Sequence, residues 1–394
     1  MNKPKISICL SHPIQYLSPL LKEMANEFDL KVYYFSDSSI KGAYDNGFGK
    51  KIKWDIPLLE GYDYEFIKNY SFSKSISNGF FQLINPGLIR HLIKDASPVI
   101  MINGWSYSSD ILTILIAKLR RKKVWLRAEN PLHQELRKSR LLLWIKKIIL
   151  KYFIFRFIDR FLYIGTQSKK FFQYYGAKDE ELIFTPYSVD NSYFHSQFVK
   201  LQDQRNDLLI KMNLKTDKKT ILFCGKYIEQ KRPLDLIEAF SQIDDTNVQL
   251  VMLGEGILRK RMESLIYEKG LLSNVRLTGF INQSQISKYY SIADIFVMCS
   301  GMGETWGLAV NEAMNFHLPV VISNTCGSSE DLINEGINGF IFKEGNVQQL
   351  NQSIKDLLSN EGLRMSAGKA SGNIIKQFSN AIIVENLLNG YQKK

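Results

Sequence analysis

The sequence predicts two α/β domains, each a doubly wound, Rossmann-like parallel sheet, facing each other across a cleft. Three observations predict it. The chain has 394 residues, enough for two domains at roughly 100–200 residues each. Short apolar runs alternate with helical stretches in both halves. A polar stretch over residues 190–218, without a strand pattern, separates the two series. The expected boundaries are 1–190 for the first domain, 191–217 for a linker and 218–375 for the second domain.

The first series opens with an apolar strand, Ile6–Leu10, a loop at Ser11–His12–Pro13, a helix near Tyr16–Glu27 and a strand over Leu30–Phe35. Strand, loop, helix and strand in that order begin a parallel sheet. Residues 36–80 are rich in Ser, Gly, Lys, Asp and Tyr and read as loops and short elements. Pro98–Asn103 is a buried strand, Asp110–Lys118 a helix, and Val124–Leu126 and Phe161–Ile164 are strands. In the second series the strands are Thr220–Cys224, Val248–Leu253, Val275–Leu277, Ile295–Met298 and Val320–Ile322. Helices are expected at Pro233–Phe240, with Pro233 in the first turn, and at Leu258–Lys269, Gly307–Asn315 and Val347–Ser359.

Composition narrows the class. Hydrophobic residues make up 45% and charged residues 23%, which excludes a disordered, collagenous or coiled-coil chain. Cys9, Cys224, Cys299 and Cys326 lie far apart, so neither a disulfide scaffold nor a zinc ribbon is expected, and a reducing compartment is. No signal-peptide core is legible at the N-terminus, and no apolar run approaches the ~20 residues that span a bilayer. A soluble, cytoplasmic protein is expected. The net charge is +12, and its source is local: between Lys118 and Arg160 stand 14 basic and 3 acidic residues. Such a patch wants an anionic partner, either nucleic acid or an anionic membrane face.

Two loops could carry chemistry. Ser300–Gly301–Met302–Gly303–Glu304–Thr305–Trp306–Gly307–Leu308 follows a strand and starts a helix, so exposed N–H groups at that helix N-terminus could bind phosphate. Glu304 and Glu312 would stand about 80° apart on one helix. With Glu304 in the loop before the helix, both could face one ligand, and a carboxylate accepting two vicinal hydroxyls holds a sugar ring. The pair fits equally a helix-start carboxylate and a solvated face residue. The second loop, Gly225–Lys226 through Lys231–Arg232–Pro233, places cations at a strand's carboxyl end, where open α/β sheets bind ligands. There a lysine can meet a diphosphate as a point charge. An ordinary solvated loop would look the same.

Residues 160–394 resemble the retaining glycosyltransferases of family 4, which have the GT-B fold. The resemblance rests on Pro186–Asp190, Gly225–Lys226 with Lys231, Gly254–Glu255–Gly256, Leu277–Thr278–Gly279–Phe280 and Ser291–Asp294. It continues through the Glu304-to-Glu312 segment, Leu318–Val321, Gly336–Phe340 and an amphipathic helix after Phe378–Ser379. It implies a nucleotide-sugar donor, carrying UDP or GDP, in the second domain, an acceptor-side first domain, and a helix over about 376–394 that crosses back to the first. Lys226 and Lys231 would hold the donor diphosphate, Glu304 the transferred sugar or its phosphate, and Glu312 the ribose. Gly303, Thr305, Trp306, Gly307 and Leu308 would complete the phosphate cradle, with Gly254 and Phe280 also at the donor. The family commonly has Arg where Lys226 stands, so bidentate contact is lost while the charge is kept.

The first half is less decisive. Ser11–His12–Pro13–Ile14–Gln15–Tyr16 resembles the opening of one subgroup of these enzymes, making His12 a candidate near donor phosphate or acceptor, or else a turn histidine. Glu129 is the polar group expected at the end of its strand, while His91, His133, His195 and His317 read as structural or exposed. No Asp-x-Asp motif occurs, so no metal or other cofactor is expected. Arg140, Lys147 and Lys151 share a helical stripe beside aromatics, as in an interfacial helix. A packed helix with cationic edges fits too, and no nucleic-acid module accompanies the charge. The expectation is a hexose-transferring, retaining enzyme of surface polysaccharide assembly. It would be peripheral on the inner face of the membrane and act on a glycan or lipid-linked glycan. A sugar-nucleotide epimerase of related fold and a silent binding or scaffold member are the alternatives.

Overall fold

A computed structural model describes residues 3–42, 44–45, 47–51, 53–72 and 79–393. The chain divides into two compact units: Met1–Ala43, Ile52–Tyr187 and Asn380–Lys394 in the first, Tyr44–Lys51 and Ser188–Ser379 in the second. In chain order the early strands are β1 (Lys5–Leu10), β2 (Asp29–Tyr34), β3 (Tyr44–Asp45), β4 (Lys50–Lys51) and β5 (Asp63–Phe66). Then come β6 (Val99–Asn103), β7 (Lys123–Ala128), β8 (Arg160–Tyr163) and β9 (Leu182–Phe184). The first unit's sheet runs β5-β2-β1-β6-β7-β8-β9, with parallel pairing throughout. Strand β1 shows why the sheet is buried on both faces. Its side chains alternate: Ile6, Ile8 and Leu10 pack with Leu17, Leu20, Leu21 and Met24, while Cys9 joins the core that holds Ile100 and Ile102. Helix Asn380–Gln392 packs in this unit too, and Gly390 lies so close to Ile183 that a Cβ would sit 2.4 Å from its Cδ1.

The second unit holds β10 (Lys219–Cys224), β11 (Val248–Leu253), β12 (Val275–Leu277), β13 (Ile295–Met298), β14 (Val320–Ser323) and β15 (Gly339–Phe342). Their order is β12-β11-β10-β13-β14-β15, again all parallel. Every residue of β11, β13 and β14 is buried, as expected of a sheet covered on both faces by helices. The doubly wound α/β class is what the structure shows.

Two readings are corrected and one is sharpened. Residues 191–217, expected as a linker, contain helices Asn191–Leu201 and Arg205–Lys211. The Asp190 carboxylate caps the first by accepting from the Tyr193 N–H at 2.9 Å, and Leu201, Leu208 and Leu209 bury against Ile292. The polar composition hid that apolar stripe. Within residues 36–80, leaving aside 43, 46, 52 and 73–78, which lie outside the described residues, one of the expected short elements, Asp63–Phe66, is the edge strand of the first sheet. Finally, the expected stripe of Arg140, Lys147 and Lys151 does not lie on one α-helix. The helix Arg140–Ile148 passes into a π-helical segment, Ile149–Ile154, whose wider turn shifts the phase of everything after it.

Candidate functional site

In the second unit the strand order reverses between the neighbours β10 and β13. Their connections leave toward opposite sides, which opens a crevice at their carboxyl ends where such sheets bind ligands. Both predicted loops flank it. Lys226 and Lys231 follow β10; Gly303, Glu304, Thr305 and Gly307 follow β13. The loops are joined twice. The Gly301 N–H donates to the Gln230 carbonyl at 2.8 Å, and the Lys231 ammonium donates to the Glu304 carboxylate. These side chains are only 18% and 10% exposed. Burial works against the Lys231 charge, but the Glu304 carboxylate outweighs it and holds the ammonium above the ordinary lysine range. Glu304 stands in a loop, as expected, yet it is buried, so its removal also touches the protein's interior.

Two glycines let backbone close in on this crevice. At Gly254 φ is +146°, and a Cβ would fall 1.8 Å from the Gly225 carbonyl oxygen. At Gly307 φ is +95°, and a Cβ would meet Met298 Sδ at 2.5 Å and Cys326 Sγ at 2.9 Å. Helix Leu308–Asn315 therefore begins hard against β13 and the Cys326 turn. The Val310 N–H donates to the Gly307 carbonyl at 2.9 Å, while the N–H groups ahead of it lack the carbonyl four residues back that later helical residues use. The Trp306 indole is not part of that opening. It is buried, donates to Asn311 Oδ1 at 2.8 Å, and leaves only main chain at position 306 for a ligand.

Glu312 is buried, not a solvated face residue. Burial raises its pKa, and two donors oppose the rise: the Tyr290 hydroxyl at 2.6 Å and Gln283 Nε2 at 3.1 Å. Sequence reasoning singled out neither, because helix Gln283–Ile292, which carries both, has no strong periodic signal. The Lys226 ammonium lies 4.8 Å from the centroid of the Phe48 ring. Phe280 meets the same ring edge-on, centroids 5.0 Å apart. Among the described residues no group of three or more His, Cys, Asp or Glu is placed to hold a metal ion.

The first unit reverses its strand order between β1 and β6, and His12 stands just past β1. Its Nδ1 lies 2.9 Å from Ser11 Oγ, and burial lowers its pKa to about 4, so the imidazole is neutral at pH 7. Burial, and next to it the Glu129 carboxylate just past β7, raise the pKa values of the Tyr16 and Tyr187 hydroxyls. The two hydroxyls are 2.8 Å apart, and the buried Arg127 guanidinium lies 5.0 Å from the Tyr187 ring centroid. This tyrosine–arginine setting was not legible locally, since Tyr16 and Tyr187 are 171 positions apart.

The basic segment is partly spent inside the unit. Lys118 pairs with Asp159, Lys122 with Asp95, and Lys146 with Glu135. Arg140, Lys147 and Lys151 remain on the exposed surface, the last two over the rings of Tyr174 and Tyr152. Leu141, Leu142, Trp144, Tyr152 and Phe153 are each more than half exposed beside them. No helix among the described residues is long and apolar enough to cross a membrane.

Comparison with known proteins agrees with this geometry. Residues 204–373 match the family model described as glycosyl transferases group 1. An uncharacterized glycosyltransferase of Methanocaldococcus jannaschii is 31% identical over 183 residues, 46% of each chain. Spore coat protein SA of Bacillus subtilis is 30% identical over 222 residues, 53% of this chain and 58% of that protein. The chain thus spans about half the length of these relatives. The crystal structure of Anabaena HepE in complex with UDP aligns over 99% of this chain and 100% of its own, with a TM-score of 0.75 at 18% identity. Over residues 204–373 the chain is therefore similar to the glycosyl transferases group 1 domain, and the whole chain has the GT-B fold.

Proposed function

We propose that this protein is a retaining glycosyltransferase. It would move a sugar from a nucleoside-diphosphate donor to a hydroxyl of a glycan or lipid-linked glycan in surface polysaccharide assembly. The observation that carries the reading is the buried Lys231–Glu304 pair at the strand-order reversal, with Lys226 on the same loop. Lys226, Lys231 and the N-terminus of helix Leu308–Asn315 offer positive charge where a departing diphosphate would gain negative charge. In the proposed reaction the acceptor oxygen bonds to the anomeric carbon as the bond to the diphosphate breaks on the same face. The acceptor proton passes to the leaving phosphate oxygen. Glu304 orients the Lys231 ammonium and meets the sugar or its phosphate; Glu312 takes the ribose hydroxyls. The lysines do this without a metal. The UDP held by HepE supports a uridine donor. His12 and Glu129 serve the acceptor side, and the exposed face around Trp144 rests on the anionic inner leaflet.

The test offers a panel of UDP- and GDP-sugars with and without polyprenyl-linked glycan acceptors, and measures release of nucleoside diphosphate. Release that requires the acceptor and persists in EDTA supports the reading. A strict requirement for manganese or magnesium would remove the metal-free part. Conversion of the donor sugar without any acceptor would favour an epimerase.

A further inference from the structure

Strands β3 and β4 pair antiparallel as a small hairpin, and residues 44–51 group with the second unit although they interrupt the first in sequence. Gly49, at φ +64°, takes a left-handed turn that favours glycine, and Phe48 stands beside it. Its ring touches two residues already placed at the donor. Lys226 Nζ is 4.8 Å from the ring centroid, close enough for the ring's negative face to attract the ammonium. Phe280, delivered by the Gly279 turn at φ +78°, meets the ring at 5.0 Å with the planes 80° apart. A phenyl face is a weak partner for an ammonium; a diphosphate is a strong one.

We propose that Phe48 is a positioning residue of the donor site: its ring holds the Lys226 ammonium in the place a donor diphosphate takes, and is exchanged for it on binding. This rests on the reading that Lys226 meets the diphosphate. Donor affinity then contains the cost of the exchange. For a partly exposed contact that cost is about two- to fivefold in affinity. No bond is made or broken, so the effect appears in binding and in KM rather than in kcat.

Calorimetric titration with UDP and with GDP tests it, on wild type and on Phe48→Leu, Phe48→Trp, Lys226→Ala and the Phe48→Leu/Lys226→Ala pair. Phe48→Leu keeps apolar bulk and loses the ring face, so nucleotide should bind two- to fivefold more tightly. Phe48→Trp, with the stronger ring face, should bind it more weakly. In the Lys226→Ala background Phe48→Leu should change nothing. A Phe48→Leu protein that binds as the wild type does, or more weakly, overturns the inference, as does an undiminished effect without Lys226. Wild type that binds neither UDP nor GDP overturns the donor reading itself, and this inference with it.

Discussion

Lys231 and Glu304, 73 positions apart, form a buried ion pair that ties the loop after β10 to the loop after β13. Removing one partner of a buried pair strands the other, at about 3–5 kcal/mol. Glu304→Ala should therefore abolish transfer and also lower stability by an amount in that range, read by urea unfolding. Lys231→Ala should act similarly, and the double variant should lose much less than the sum. The part of this stability that comes from the Lys231 charge is complete below the unfolded lysine pKa and fades as pH rises through the raised folded value, so the ammonium is charged at neutral pH. Additive stability losses would show that the two side chains do not act as one unit.

In its proposed role Glu312 would have to be ionised to accept two ribose hydroxyls, and burial opposes that. UDP affinity should thus fall as pH drops through the raised Glu312 pKa. The Tyr290 hydroxyl favours the carboxylate, so Tyr290→Phe should move the fall to higher pH. Calorimetric UDP titrations between pH 5 and 8 check this; superimposed profiles for wild type and variant would remove the assignment.

His12 carries a pKa near 4 in the folded chain against about 6.5 when unfolded. The unfolded chain takes up the proton first, so this stability is present above pH 6.5 and is lost as pH falls toward 4. The loss is at most about 1.4 kcal/mol per pH unit. His12→Gln should flatten that part of the stability–pH curve. An unchanged slope would mean that the ring is protonated without penalty in the folded protein.

Membrane docking should show two separable forces. Charge reversal of Lys147 and Lys151 should weaken binding to phosphatidylglycerol vesicles more than tenfold, at about 1 kcal/mol per cation. That effect should shrink with salt as the Debye length falls from ~10 Å at 0.1 M to ~3 Å at 1 M. Trp144→Ser should weaken binding at every salt concentration, because it removes exposed apolar surface. Transfer to a short soluble acceptor should survive in both variants. Wild-type vesicle affinity in both would leave this helix a plain surface element.

Much of the fold was readable because its signals are local. Strand β11 spans Val248–Leu253 and helix Pro233–Phe240 begins at its proline, both as expected from contiguous apolar runs and one helix-starting residue. Strand β5 and helix Gln283–Ile292 were not readable. The first is a short edge strand of Asp, Tyr, Glu and Phe, and the second has no strong apolar stripe. Partners across the sheet then decide whether such segments become ordered elements.

The sequence by itself determined the doubly wound class and the loops that follow β10 and β13, because periodicity is written in neighbouring residues. Only the tertiary structure decided what those loops do to one another. Lys231 found Glu304, Tyr290 turned to Glu312, and Phe48 settled on Lys226 and Phe280. It likewise spent Lys118, Lys122 and Lys146 of the basic segment on internal acids. Each pairing joins residues brought together by strand order and burial, and a charge or a ring acquires its role from the neighbour that packing supplies.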